Sequence, residues 1–444
     1  MNLEAPAKLL YPLLSPYRQT VGRKVMGGKN SEHKRILTVK PSGSLFAAEG
    51  VRATGWAITK DAPTVSFKSM GQLGDYTWES EIAGRNYEDI KQRTRTLNLL
   101  SAMQLEEGAI FGGNVTALGT PTGLTTTPAT TGAAAVGGVG IAAATYQVRV
   151  AALSHEGMRQ ASRVARVDKA AAQNFDASLV VPTQGGTLGI TAAQANVAAV
   201  VGGSTDGIIG LTWNPIAGAF GFAVYVDNHL QCILPSTTKC TLTGINTTGE
   251  AVPGADSSAN ANAFNGMVAQ IVAAATGSMK KRVNTNLGTP SGNQITVIAD
   301  AIQDGYDQFK VQPDRLLVAW DVHDQLDRKL ASVANDRINL NYMVGPEGPK
   351  FEQLRFYPSP IDGRQIPIEQ QPNLYGGQVL GVLDGVPIPD SEIPAAWQMH
   401  MGSDWVLLDY AVVNPKQEFE SRSFGALAGY APALQFILYD VQRA

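Results

Sequence analysis

Asp321, His323, Asp324 and Asp327 form the densest group of side chains in this sequence that could bind a metal or move a proton. Their spacing has a plainer use. At the start of a helix Asp321 would be the N-cap, Asp324 would stand at N3, and His323 with Asp327 would form an ordinary i,i+4 surface pair. His400 lies between Met399 and Met401, a combination soft metals accept, yet no cysteine accompanies it and a strand position is the better expectation. Cys232 and Cys240 are the 2 cysteines of the chain, too few for a disulfide framework or a four-ligand zinc site. They could face each other across a hairpin, and are expected reduced.

Two glycine patterns touch on phosphate binding. Gly22 to Asn30, GRKVMGGKN, places glycines ahead of a lysine, but Gly28 follows Gly27 directly and Asn30 stands where Ser or Thr would ligate magnesium. Gly138, Gly140 and Ala143 have dinucleotide-loop spacing within an Ala/Gly-rich run. With no strand before it and no helix after, a phosphate would meet no helix N-terminus. No nucleophile elbow occurs, and the 5 histidines are scattered without a Ser or Cys partner. The sequence therefore nominates no catalytic, cofactor-binding or metal-binding residue, and no cofactor. The expected chemistry is that of surfaces.

Composition narrows what those surfaces do. With 444 residues, 44% hydrophobic and 16% charged, the chain can bury the cores of two or three domains. A net charge of -3 and a pI near 6.0 exclude a general nucleic-acid binder, which needs clustered Lys and Arg over a whole face. The local exception runs from Met1 to Lys40, where Lys8, Arg18, Arg23, Lys24, Lys29, Lys34, Arg35 and Lys40 stand against Glu4 and Glu32. This reads as an extended arm, with its local basic excess running from Arg18 to Arg35. Met1 to Leu14 is interrupted by Glu4, Pro6, Lys8 and Pro12, so it lacks the apolar core of a signal peptide. No stretch is long and apolar enough for a bilayer, so synthesis in a cytoplasm is expected and a cell-surface adhesin is disfavoured.

The elements form one α+β body interrupted by an all-β insertion. Between Arg35 and Trp78 the pattern is strand-like and Gly-punctuated, a long hairpin or meander that needs something to pack on. Asn86 as N-cap, acidic Glu88 and Asp89, and Tyr87, Ile90, Leu97 and Leu100 at helical spacing predict a helix from Asn86 to Glu107, stopped by Gly108. It would be roughly 30 Å long. Leu118 to Ala144 has linker composition, and Pro253 to Asn262 is a second loose stretch. Between them, short alternating strands around Tyr146, Trp213 and Phe222 predict a β-sandwich from about Ala143 to Val252 with no convincing helix. Helical stripes follow at Phe264 to Val272 and Ile298 to Phe309. A strand Leu316 to Trp320 then enters a helix burying Val322, Leu326, Leu330 and Val333. Strands at Trp405 to Leu408 and Leu434 to Tyr439 close the chain.

The run NYEDIKQRTRTLNLLSAMQLEEGAIFGGN, Asn86 to Asn114, resembles the spine helix of tailed-phage capsid proteins of the Hong Kong 97 fold, down to its Glu-Glu and Gly-Asn ending. Ser31 to Trp78 is similar to that family's extended loop, and Phe264 to Val283 and Ile298 to Val333 resemble its peripheral and axial segments. GVLDGVPIPDSEIP, Gly381 to Pro394, and the strand Gly402 to Leu408 resemble its return path. TYQVRVAALSHEG, Thr145 to Gly157, and GLTWNPIAGAFGFAVYV, Gly210 to Val226, look like strands of immunoglobulin or fibronectin III-like domains, with the Tyr strand ahead of the Trp strand. The resemblance implies an N-terminal arm (1–30), an extended β-loop (31–80), a spine helix with the start of the peripheral domain (81–142), and an immunoglobulin-like insertion (143–252). The rest of the peripheral domain (253–297), an axial domain (298–394) and return strands (395–444) follow. Trp213 and Tyr225 would pack the two sheets of the insertion.

A major capsid protein is then expected: a non-enzymatic chain assembling as hexamers and pentamers into an icosahedral virion shell around double-stranded DNA, in the host cytoplasm. An encapsulin-like compartment with an enzyme cargo is the alternative. Expected partners are the chain itself, a portal, a decoration protein and a scaffold, the last separate because Met1 precedes the loop by only about thirty residues. Lys34, Lys60 and Lys68 are candidate donors and Asn414 a candidate acceptor for a family-type crosslink. No catalytic carboxylate matches, so a shell without covalent joins is expected. The insertion is expected on the outer surface, with few contacts to the body.

Overall fold

A computed structural model describes the chain except residues 1–16, 39–45, 53–58, 86, 88, 134–138, 162–173, 177–181, 186–188, 203–204, 275–278, 289–294, 333–342, 346–347, 351–355, 387–394, 412–414 and 443–444. The chain is mixed α+β. A short helix α1, Trp78–Gly84, is capped by the Thr77 hydroxyl and was not anticipated, because Trp78 and Ile82 are its only large apolar residues. The long helix α2 spans Ile90–Gly112, and its N-cap is Asp89, whose carboxylate accepts from Gln92 N–H at 3.0 Å. Asn86, expected in that role, lies outside the described residues. Gly108 does not stop the helix, which runs on to Gly113, where the cap N–H donates to Ala109 O. The reason is packing: a Cβ on Gly108 would meet His155 Cε1 at 2.8 Å, and one on Gly112 would meet His155 Cβ at 2.1 Å.

Helix α2 lies on a sheet ordered Gly22–Val25, Trp397–Asp409, Lys416–Gly429, Lys68–Thr77. Lys68–Thr77 alternates because one side faces α2 and the other faces out, the period-2 signature of a half-covered strand. The residues before it form two short ladders, Asn30–Glu32 with Thr64–Ser66 and Arg35–Thr38 with Thr59–Asp61. A second, six-stranded sheet runs Lys280–Arg282, Phe436–Tyr439, Val379–Val382, Arg315–Val318, Gln365–Gln370, Phe356–Pro358. Helices α4, Met267–Ala274, α5, Thr296–Phe309, and α6, Trp320–Ser332, contribute Ile271, Ile302 and Val322 to the core beside it. Val333, placed on the buried stripe of α6 by periodicity, lies outside the described residues, and α6 ends at Ser332.

The remaining strands form two four-stranded sheets, Val197–Val201, Ala144–Leu153, Gly221–Val226, His229–Pro235 and Thr125–Ala129, Ile208–Thr212, Lys239–Gly244, Asn174–Asp176. Val148, Val224, Leu211, Leu242 and Trp213 fill the space between them. Three expectations are corrected here. The stretch Leu118 to Ala144 is not simply linker: Thr125–Ala129 pairs with Ile208–Thr212 as an edge strand, where Pro128 is tolerated. A helix α3, His155–Gln160, sits within this unit, capped by Ser154. Tyr225 does not pack between the sheets, because Gly221–Val226 is buried on both faces. Phe222 and Val224 point to the inter-sheet core, while Ala223 and Tyr225 join the continuous core that also contains the six-stranded sheet.

Candidate assembly interface

The residues weighed for chemistry are occupied with structure. Asp321 is inside the first turn of α6 and is not its N-cap; its carboxylate accepts from Val322 N–H at 2.9 Å and reaches across to Gly377 N–H at 3.0 Å. His323 Nδ1 pairs with Asp327 at 3.3 Å as expected, although His323 is buried and the pair is no surface feature. Asp324 sits on the same helix without joining them in a ligand set. No group of three or more His, Cys, Asp or Glu among the described residues could hold a metal. Gly22–Val25 is a strand parallel to Gln398–Met401, so the glycine-lysine motif starts as sheet and not as a cradle. Gly140 donates to Thr243 O at 2.7 Å within the two-sheet unit, and Gly138 lies outside the described residues. Cys232 and Cys240 are free and buried on strands of different sheets, so they meet across a core and not across a hairpin ladder. Burial and the neighbouring Cys240 push the Cys232 thiol well up, which keeps it protonated and inert.

The basic arm is corrected most. Arg18 Nε and Arg23 Nη2 both reach the Glu106 carboxylate on α2, the latter at 2.6 Å, and Trp405 Nε1 donates to it at 2.9 Å. Arg23 also pairs with Asp404, and Arg35 Nε holds Asp61 at 2.9 Å. These arginines fasten the arm and loop to the body. Of the cations between residues 18 and 35, Lys24, Lys29 and Lys34 remain exposed. Beside Glu106, Glu107 is fully buried; desolvation raises its pKa, against the opposing effect of the Arg18 N–H at 3.2 Å.

The loop is rooted by histidines. His400 Nδ1 lies 2.8 Å from Ser31 Oγ and its Nε2 2.9 Å from the Tyr430 hydroxyl. His33 Nε2 lies 3.2 Å from Gly429 O, and Ile36 N–H donates to Tyr430 O at 2.7 Å. His400 is thus a buried strand residue, with its ring held on both nitrogens.

The two-sheet unit is fastened too, against the expectation of few crossing contacts. His155 packs edge-on to Phe220 at 5.2 Å and against Tyr375 at 5.4 Å. Gln378 Nε2 donates to Ala219 O, and Thr238 donates through N–H and hydroxyl to Asp440, which also binds Arg282. Short sequence patterns could not reveal this, since the contacts that cross, His155 to Tyr375, Ala219 to Gln378 and Thr238 to Asp440, each join residues more than a hundred positions apart.

What stays uncovered is the outer face at the far end of the first sheet. Register aligns Leu408, Glu420 and Leu73 across three strands, and Val406, Arg422 and Gly71 in the next row. Leu73 is 59% and Val406 45% exposed, and Trp78, Tyr87 and Tyr410 stand exposed nearby in the chain. The run Trp405 to Leu408, four apolar residues at consecutive positions, was the signal available for it. The candidate crosslinking residues do not assemble: Lys68 Nζ donates to Ala261 O at 2.7 Å, Lys34 and Lys60 are exposed, and Asn414 lies outside the described residues.

No model of a known protein family matches the sequence, and no curated protein matches it. Among solved structures, the chain is similar over 96% of its length to the capsid of Myoviridae phage XM1, with 91% of that chain covered, 10% identity and a TM-score of 0.43. A structure from Microbacterium phage Oxtober96 aligns over 99% of this chain and 95% of its own, at 8% identity and a TM-score of 0.42. A virus-like particle from Pyrococcus furiosus aligns over 96% and 92%, at 7% identity and a TM-score of 0.33. Superpositions this loose assign no residue a role.

Proposed function

We propose that this chain is a shell-forming structural protein, the major capsid protein of a tailed double-stranded-DNA virus, which assembles as hexamers and pentamers. The observation that carries the reading is the uncovered face of the first sheet. Leu73, Val406 and Leu408 are interleaved with Glu420 and Arg422 on a sheet whose other face carries α2 over strands Lys68–Thr77 and Lys416–Gly429. Exposed apolar groups grouped this way mark interaction sites. The two short ladders Asn30–Glu32 with Thr64–Ser66 and Arg35–Thr38 with Thr59–Asp61 support the same reading, because short two-stranded ladders gain most by lying over another subunit. In this reading 1–30 is the arm, 31–80 the extended loop, 81–142 and 253–297 the spine and peripheral domain, 298–394 the axial domain, and 395–444 the return strands. The two-sheet unit is an immunoglobulin-like insertion displayed outward, and a scaffold, a portal and a decoration protein are further partners. Loose contact with packaged DNA falls to Lys24, Lys29 and Lys34, since the arginines are paired. No helix among the described residues is long and apolar enough to cross a membrane, and none is required.

The test is a charge placed on the open face. Val406→Asp with Leu408→Asp should leave the subunit folded, since both side chains are exposed, and should abolish rings and shells in sedimentation. Unimpaired assembly by that variant would remove the face from the account.

A further inference from the structure

We propose that His33 and His400 form an acid-sensitive latch that fastens the root of the extended loop to the first sheet. The inference stands on the joint alone and does not depend on the shell reading. His400 sits on strand Trp397–Asp409, while Ser31 and His33 come from the loop, and all three are buried. The Tyr430 hydroxyl donates to Gln398 Oε1 at 3.2 Å, so it accepts from His400 Nε2–H at 2.9 Å. His400 Nδ1 is then the lone pair that accepts the Ser31 hydroxyl proton at 2.8 Å. A proton added to Nδ1 takes the place of that hydrogen. The Ser31 hydroxyl would be left with the thioether of Met26, 3.3 Å away, a weak acceptor.

His33 has the same difficulty. Its Nε2–H donates to Gly429 O, and its Nδ1 is buried without a partner, so a second proton there would be an unpaired charge. The two rings stand 6.0 Å apart and edge-on, which makes double protonation less favourable still. Among the described residues no carboxylate is hydrogen-bonded to either ring. On the elements packed around them the charged groups are Arg23 and Lys24, with Lys24 opposite His400 in register, then Lys29, Glu32, Lys34 and Arg35, Lys60 with Asp61, which holds Arg35, and Lys68, which lines the same cavity as His33. Segments 397–402 and 425–430 carry no charge other than His400 itself. Burial, followed by His33 and Lys24, lowers His400 to about 4, and burial lowers His33 as well.

The sign follows from linkage. The open joint takes up protons at the ordinary imidazole value near 6.5, whereas the closed joint rejects them. Closure is therefore strongest above that value and weakens as pH falls toward about 4, by about tenfold in the opening constant per pH unit for each imidazole.

Hydrogen exchange of the full chain, normalised to the intrinsic rate at each pH, reads this directly. The amides of His33 and Ile36, bonded to Pro63 O and Tyr430 O, should exchange about tenfold faster per unit below pH 6.5 for each imidazole that protonates on opening, up to about a hundredfold for both, while Leu316 and Leu317 in the six-stranded sheet stay protected. His33→Asn with His400→Gln should flatten the dependence. Root amides that stay protected until the whole body unfolds, or an unchanged pH step in the double variant, would overturn the latch. If that variant does not fold, selective carbon labelling of histidine in the unaltered chain, with each resonance assigned, decides: His33 and His400 both titrating well below 6.5 support the latch, and both titrating near 6.5 refute it, whatever His155 does.

Discussion

Glu106 shows how much of this molecule turns on single side chains that carry no motif. It is a buried carboxylate on α2 that gathers Arg18, Arg23 and the Trp405 indole, so it ties the arm, the helix and the return strand at one point. Removing one partner of a buried pair leaves uncompensated charge, which costs about 3–5 kcal/mol. Glu106→Ala should lose stability of about that size in urea titrations of the dispersed subunit, and Arg18→Ala less, since Arg23 remains. Gly112→Ala is a second case: its Cβ would stand 2.1 Å from His155 Cβ, so overpacking should destabilise by about 1–3 kcal/mol in the same titration. His155 adds a pH dependence. Burial, with a smaller effect of Arg159, depresses it to about 3, so the unfolded chain binds the proton more readily and stability should fall as pH drops from about 6.5 toward 3. Buffers spanning that range, with midpoints read by fluorescence, check it; a flat profile would mean that His155 is solvated. None of these roles was legible in sequence, because a stop glycine and a packing glycine look alike, as do a free arginine and a paired one.

Among the elements, strand Gly221–Val226 explains why the insertion was read as independent and is not. Its alternate residues were assigned one buried face, whereas it is covered on both, by the second sheet and by the core shared with the body. Both readings of FAVYV look alike, since a doubly buried strand is apolar throughout. The strand Thr125–Ala129 was missed for the opposite reason: an edge strand of Thr and Pro has no apolar alternation. The body of α2, the strands Arg315–Val318 and Phe436–Tyr439 of the six-stranded sheet and the two-sheet character of the insertion were legible, because buried elements write themselves into runs of apolar residues, whereas Gln365–Gln370 and Val379–Val382 were not. Replacing residues 143–252 with a Gly/Ser linker should therefore leave Thr125–Ala129 unpaired and the surface facing Tyr375 bare. The product should be insoluble or lack a cooperative thermal transition; soluble, shell-forming protein would restore the view of a separable module.

For the molecule as a whole, the open sheet face, the rooted loop and the clamped arm make one body that is finished on some sides and unfinished on others. With no carboxylate matched to Lys34, Lys60 or Lys68, shells should run as a single chain-sized band on denaturing gels, and a ladder of ring-sized species would contradict that. The central claim is self-assembly, and electron microscopy of the purified chain across concentration and salt tests it most directly. The account predicts closed shells or rings with six-fold and five-fold symmetry whose contacts include Leu73, Val406 and Leu408. A monodisperse monomer at every concentration and salt, with that face still solvent-exposed, would contradict it.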